Sequence, residues 1–452
     1  MFESDTSSVE IVGQIASTTE EIPLIITGMV FSFDGRTLSV HSQNDLSRDA
    51  YYADVGNLLL NKETRVDLIV SGNTVPGFDC ICFHVAGTIV IDGARVSAPV
   101  RSYWSIDINY DLSCVSMVRF KGSCVDSFFP RKSNVINDDF SLNIPSSKGS
   151  TIQGGIAIVE NKSVRFSLTS GWTGNPNIKL EFHSYITALI GGLNVSSIEL
   201  LYESVLKVVS FCLCRSNTKC EVSLYAKETK GHKYIGYFFM NSSVEELPDT
   251  RDPTSRRCVL AKHLSNDFGN LVQAFIDGTI KIAAFSQSRS DVYRLSDSKI
   301  IELTSYFESV FNSLYPEGVE HSNNALAKRS TLVNALEQLK PELKSDEARE
   351  IDHCIRIVTQ DNLQSRIVYA FHQLDHALLD ACTAGLEIDV NIAQIGSKIQ
   401  SKRNSIAHGS KPKYSLAEVA GEYHFLFRLV RSMELKKSGF SGETIAELVS
   451  HM

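Results

Sequence analysis

No stretch of this 452-residue chain approaches the ~20 consecutive apolar residues that a membrane span requires. The most apolar segments, Ile186 to Val195 and Val205 to Cys214, are short or flanked by charge, so no membrane partner is expected. A secretion signal is also lacking: Met1-Phe2-Glu3-Ser4-Asp5 is acidic and polar, the opposite of a basic segment followed by an apolar run. A cytoplasmic location is therefore expected, with the ten cysteines reduced and serving as small buried apolar residues. Cys-x2-Cys spacing is missing. Cys80-Ile81-Cys82-Phe83-His84 places three potential ligands on one strand face, and Cys212-Leu213-Cys214 with Cys220 makes a second cluster. Neither has the spacing of common structural zinc sites, and packing explains both. Gly154-Gly155 and Gly191-Gly192 lack the spacing of a phosphate loop. There is no internal repeat and no low-complexity tract. The net charge of -8 excludes a protein coated in nucleic acid over its whole surface, though it leaves room for a local basic site.

What is present is the composition of a folded protein, 43% hydrophobic and 21% charged. The length implies two or three domains. Residues 1–22, rich in Ser, Thr and Glu, read as a flexible lead-in. From Ile25, short runs rich in Val, Ile, Phe and Tyr alternate with Gly, Asn, Asp and Pro, and Asp34-Gly35 marks a hairpin turn. This is the spacing of antiparallel strands in a sandwich or barrel, and a sandwich-like, β-rich domain is expected over 23–295. Residues 130–155 read as a long loop. Ile198, Leu201, Val205, Val208, Val209 and Cys212 recur at helical spacing, which predicts a helix over about 195–214 on that sheet. A second is predicted from Ser265 to Phe285.

Residues 296–452 read as a bundle of four or five helices, making the chain a multidomain α+β protein. Asp297 or Ser298 is the expected cap of the first helix, and Ala325–Leu339 the second. A third is predicted from about Ser345 to Ala384, closed by Gly385. The fourth starts near Asp389 with Ile392, Ile395, Ile399 and Ile406 as its stripe, and the fifth is Leu416–Leu435.

The residues best suited to chemistry lie late in the fourth helix, in Lys402-Arg403-Asn404-Ser405-Ile406-Ala407-His408-Gly409. Asn404 and His408 are four apart and share a helix face. Arg403 lies about 100° round from Asn404, and Gly409 suits the position where a helix ends. Lys398, Lys402, Arg403, Lys411 and Lys413 occur with no carboxylate between them, which suggests a phosphate-binding spot on an acidic protein. Cleavage of RNA by its own 2′-hydroxyl needs a histidine as base or acid and a cation on the phosphate. Arginine forks onto phosphate oxygens, and asparagine can orient either group. The same spacing also suits a plain helix end, with His408 against the last carbonyls and Arg403 paired with a carboxylate.

The string Arg403 to Gly409, late in a bundle and followed by one more amphipathic helix, resembles the motif of the HEPN superfamily: an Arg, a polar residue, then a His after a gap of four to six. The β-rich region before it resembles the layout of the ApeA group of anti-phage HEPN proteins. The resemblance covers about residues 298–440, roughly a third of the chain. It implies a ribonuclease that needs no metal or other cofactor and leaves a cyclic phosphate, acting in phage defence by abortive infection. Arg403, Asn404 and His408 would be catalytic, with Lys402, Lys411 and Lys413 as RNA contacts. It also implies a homodimer whose two motifs form one site, with the N-terminal domain sensing a phage-derived or other trigger. Some members of the superfamily are inactive interaction modules. The alternative is thus a non-catalytic dimerising adaptor whose β domain binds a protein or glycan.

Two further groups carry weaker signals. His372 and His376, four apart on the third helix beside Asp375, make half of a metal site that nothing else in the bundle completes. Trp104 and Tyr103 read as core, and Trp172, in the loop-like Gly171-Trp172-Thr173-Gly174-Asn175-Pro176, as an exposed recognition residue.

Overall fold

The computed structural model describes residues 9–17, 26–33, 37–42, 66–73, 80–87, 90–92, 95–130, 149–175, 179–241, 258–282, 295–374, 376–386, 391–411 and 413–452. By its internal contacts the chain divides into two units. One comprises Met1–Leu213, Asn217–Thr254 and Leu260–Ile276, the other Cys214–Ser216, Ser255–Val259 and Asp277–Met452. Antiparallel strands dominate the N-terminal half and helices the C-terminal half, the expected α+β layout.

In the first unit, β1 (Val9–Ser17), β2 (Ile26–Phe33), β3 (Thr37–Ser42), β4 (Val66–Asn73), β5 (Cys80–Gly87), β6 (Val90–Asp92) and β7 (Arg95–Ile106) are followed by β8 (Val115–Lys121) and the short α1 (Ser123–Phe128). Then come β9 (Gly149–Val159), β10 (Lys162–Asn175), β11 (Lys179–Leu189), α2 (Val195–Leu213), β12 (Glu221–Glu228), β13 (Gly231–Met240), α3 (Ala261–Leu264) and α4 (Asp267–Ile276). The strands form one continuous sheet in the order 3-2-1-4-5-7-13-12-8-11-10-9, with β6 alongside β7. β3 also pairs with β7, Thr37–Val40 against Val96–Pro99, so strands 3, 2, 1, 4, 5 and 7 close into a ring. One sheet closed at one end replaces the sandwich-like pair of sheets. The cause is the length of β7: its first half pairs with β3 and its second, Ser102–Ile106, with β13.

Other expectations shift locally. β1 occupies residues assigned to a flexible lead-in, because Val9, Ile11 and Ile15 fall at even spacing on one strand face, opposite Glu10, Val12 and Gln14, a strand period that the bulk composition hides. The loop expected at Gly171–Pro176 is strand as far as Asn175, with Trp172 opposite Phe182 on β11. Of the long loop expected over 130–155, residues 149–155 are strand, the start of β9, and residues 131–148 lie outside the described residues. The Asp34-Gly35 turn falls outside the described residues.

Helix α2 buries Ile198, Leu201, Val205, Val208 and Val209, the predicted stripe. α4 is shorter than the predicted 265–285, stopping at Ile276 before Asp277-Gly278, where Gly278 takes a positive φ of 67°. Phe268 on α4 meets Phe166 on β10 with ring centroids 5.3 Å apart, and Phe275 meets Phe211 on α2 at 6.0 Å. The helix reaches the sheet through two glycines. A Cβ on Gly155 would stand 2.0 Å from the Asn266 carbonyl oxygen, and one on Gly269 2.5 Å from the Ile156 nitrogen. Close packing, not a phosphate, explains Gly154-Gly155.

The second unit holds α5 (Asp297–Leu314), α6 (Asn323–Leu339), α7 (Ser345–Thr359), α8 (Leu363–His372), α9 (His376–Thr383), α10 (Ile392–Ala407), α11 (Ala420–Lys437) and α12 (Gly442–Ser450). Ser296, not Asp297 or Ser298, caps α5, accepting from the Lys299 N–H at 3.3 Å. The single long third helix is three. Asn362 caps α8 by accepting from the Ser365 N–H at 2.8 Å, and a turn at Gln373–Leu374 separates α8 from α9. The polar run Gln360-Asp361-Asn362 offers side-chain acceptors that compete with helix continuation. Central to the unit is α11, which buries Phe425, Leu426, Leu429, Val430 and Met433. It also buries two arginines. Arg428 donates to the Met452 carbonyl at 3.0 Å and to the Ala384 carbonyl at 2.6 Å, satisfying the ends of α12 and α9. Arg431 bonds Glu434 at 2.5 Å, and Glu434 also accepts from the Tyr306 hydroxyl. No described helix is long and apolar enough to cross a membrane.

Candidate functional site

Helix α10 starts at Asn391, whose side chain accepts from the Gln394 N–H at 3.3 Å. It lies close against α8 at Gly396, where a Cβ would stand 3.2–3.3 Å from Gln364. Its buried positions are Ile392, Ile395, Gly396, Ile399, Lys402 and Ser405, a stripe at three- and four-residue steps. Its end closes as the sequence predicts. Gly409 takes φ +61°, its N–H donates to the Ile406 carbonyl at 3.3 Å, and the Ser410 N–H donates to the Ser405 carbonyl at 3.0 Å. This double closure is a Schellman motif. His408 is the cap residue before the glycine, its N–H donating to the Asn404 carbonyl at 3.0 Å, and its side chain is exposed.

The cations of the cluster do not share one environment. Lys402 is only 4% exposed. It lies against Ile300, Thr304, Ile399, Tyr423 and Leu426 around a small, mainly apolar pocket, and its ammonium meets Asp297 Oδ1 at 3.2 Å. The Lys402 stem is buried while Asp297 is largely exposed, so the ammonium predicted as an RNA contact is engaged by a carboxylate at the surface. Beside that pocket, burial first and then the charge of Glu302 push the Tyr423 phenol up to about 12. Lys398 pairs with the buried Glu422 at 2.6 Å. Arg403 is half-exposed, and one of its terminal nitrogens is 3.6 Å from Glu308 Oε2; Glu308 also lies 3.9 Å from Arg366. Lys411 and Lys413 are exposed, and the Lys413 ammonium sits 5.3 Å from the Tyr414 ring centre. Asn404 is half-buried. The run without a carboxylate in sequence is therefore supplied with Asp297, Glu308 and Glu422 by α5 and α11.

What remains at the end of α10 is an exposed imidazole, a half-exposed guanidinium less than two turns earlier, and two exposed ammoniums just beyond. These groups can accept or give a proton and hold an anion. The carboxylates were missed because they come from other helices. For Lys402 a signal existed: it stands three residues after Ile399 on the apolar stripe, a position that faces the core.

The other candidates resolve as packing or fall apart. His372 ends α8 and His376 begins α9, so no single helix face carries both; Asp375 lies outside the described residues. Cys80 and Cys82 have sulfurs 3.8 Å apart, while His84 Nδ1 turns to Glu199 on α2 at 2.6 Å. Among the described residues these three do not converge as metal ligands. The same Glu199 accepts from Ser102 at 2.5 Å and pairs with Arg101 at 3.0 Å, a buried polar anchor between β5, β7 and α2. Cys220 lies 3.4 Å from Cys124, and Cys212 and Cys214 are buried. Trp104 and Tyr103 are buried as expected.

No protein-family model matches the chain, and neither a curated protein nor a solved structure resembles it at a significant level.

Proposed function

We propose that the chain is an RNA endonuclease of the HEPN type, working without metal in anti-phage defence, with the β-rich unit as its sensor or regulator. The observation that carries this reading is the exposed His408 at the closed end of α10, with Arg403, Lys411 and Lys413 near it on the chain. In the proposed step His408 removes the proton of a 2′-hydroxyl, and the oxygen attacks the adjacent phosphorus. The 5′-oxygen leaves with a proton, producing a 2′,3′-cyclic phosphate. Arg403 neutralises the phosphate as charge builds, and Asn404 positions His408. The reaction needs a base and an acid. One copy brings one histidine to this site, so a homodimer supplying both is part of the reading.

A second reading has a specific observation behind it: Glu308 lies beside Arg403 and would compete with a phosphate. In it the helical unit is a non-catalytic adaptor and the β unit binds a protein or glycan. Purified protein incubated with RNA in EDTA separates the two. The nuclease reading expects cleavage with cyclic-phosphate ends, lost in His408→Ala with the oligomeric state unchanged. Equal products from wild type and variant remove His408 from the mechanism, and no products from either favour the adaptor.

A further inference from the structure

Helices α6 and α7 form a hairpin in which no residue is buried, unlike α5, α8 and α10–α12 of the same unit. Its base is fixed. Asp361, just past α7, accepts from the Val319 N–H at 3.0 Å, from His321 at 2.7 Å and from Arg329 on α6 at 2.9 Å. Beyond that base the two helices have mainly each other. Val333 and Leu336 on α6 and Ile351, Ile355 and Val358 on α7 are half-buried. Leu326, Leu332 and Leu339 are 48%, 48% and 51% exposed, and Ile357 is 60% exposed. At 100° per residue the apolar positions of α6 cover an arc of about 140°, wider than one neighbouring helix can cover. Leu332 and Leu339, seven apart, run in line along its outer flank.

We propose that this face pairs with the same face of a second copy of the chain, two hairpins closing into a four-helix bundle about a two-fold axis. Charge favours this occupant. α6 carries two cations, Lys328 and Arg329, against one carboxylate, Glu337. α7 carries four carboxylates against Arg349 and Arg356. Arg329 is engaged by Asp361, and Asp346 and Asp352 by Arg349 and Lys340. A two-fold that lays α6 across the partner's α7 therefore sets Lys328 against the acidic α7, with Glu347 and Glu350, twice, and the surface is self-complementary. Size is sufficient: helices of 17 and 15 residues present a face of about 25 by 20 Å, or ~1,000 Å² for both copies, which reaches the floor for specific interfaces. The inference gives the expected dimer a specific interface, and it stands whether or not RNA is cut.

Sedimentation velocity of the full chain tests it, with Leu332→Glu/Ile357→Glu as the variant. Both positions are exposed, so the variant should fold, which far-UV circular dichroism checks. The wild type is expected to be a dimer at about 10 μM, with dissociation at least tenfold easier in the variant. Hydrogen exchange supplies a second readout: α6 and α7 amides should gain protection as wild-type concentration rises. A wild type that is monomeric at that concentration overturns the proposal and removes the dimer from the nuclease reading as well. A dimer indifferent to both substitutions overturns the proposal alone, leaving paired motifs possible elsewhere. Protection of the hairpin that arrives only with a different protein assigns the face to that partner and also overturns it.

Discussion

Removing the Asp361 carboxylate should loosen the α6–α7 hairpin selectively, and the size of the effect follows from its three partners. Its side chain is 11% exposed, against 19% for His321 and 29% for Arg329. In Asp361→Ala the Arg329 guanidinium and the His321 imidazole can turn to water, while the Val319 N–H loses its acceptor. Hydrogen bonds to a charged group contribute about 1.5–3 kcal/mol and a half-buried orphan donor costs about 1 kcal/mol or more, so about 2–3 kcal/mol is expected after solvent compensation. That corresponds to amide exchange roughly 30- to 150-fold faster across residues 319–362, where exchange reports opening equilibria. The effect has a pH signature. Burial alone would raise the Asp361 carboxyl, but Arg329, the Val319 N–H and His321 outweigh it and hold the group below its ordinary 3.8. A group depressed on folding contributes its full stability above the unfolded value and loses it as pH falls through the folded one. The gap between wild type and variant should therefore be full at neutral pH and shrink as pH is lowered below about 4. Equal exchange at neutral pH, or a gap that widens in acid, would refute this account of the hairpin's anchor.

Three further substitutions probe the end of α10. Glu308→Gln should tighten binding of a short single-stranded RNA by about 1.5- to 5-fold, since releasing a half-exposed guanidinium from one carboxylate yields about 0.2–1 kcal/mol; fluorescence anisotropy at low salt measures it, and weaker binding contradicts the competition. Gly409→Ala has open space around the new Cβ, so backbone strain at φ +61° sets its cost at about 1 kcal/mol. By calorimetry the transition of the helical unit should fall by about 2–4 °C, and no change would mean the helix end re-forms without the Schellman closure. Lys402→Met keeps the buried stem and removes a pair with the largely exposed Asp297, whose attraction solvent screens, so stability should move by no more than about 1 kcal/mol. RNA affinity should not move at all, and a clear loss would restore Lys402 as a contact.

Most helices and strands were legible because local period and punctuation decide them. α2 and α6 match their predicted spans within two residues, each defined by a stripe and a stop. The misses share a cause. Whether β3 closes back onto β7 is decided by pairing between residues sixty apart in sequence, which no local pattern encodes. The third helix was drawn too long because its apolar positions keep helical spacing across Asn362, while the cap bond that interrupts it is a single side-chain contact. The exposed hairpin was drawn as bundle for a related reason. An amphipathic pattern shows that a helix has an apolar face, not whether that face meets the same chain or another.

The same distinction governs the cationic cluster. A run of lysines without a carboxylate describes the sequence, but charge compensation acts in three dimensions, and Lys398, Lys402 and Arg403 each find an acid on another helix. Of the cluster, Lys411 and Lys413 remain to meet a phosphate, joined by Arg403 once a phosphate displaces Glu308, and that makes the number of copies measurable. Each cation that neutralises a phosphate of a single strand contributes about -0.7 to the slope of log affinity against log salt. One copy engaging three phosphates predicts a slope near -2, and two copies closing on one strand a slope near -4. A titration of RNA binding against salt, in His408→Ala so that the RNA survives, therefore counts motifs at the site. A slope near -2 from a protein that sediments as a dimer would mean that the two motifs act apart, and the shared-site reading would fall while the dimer stood.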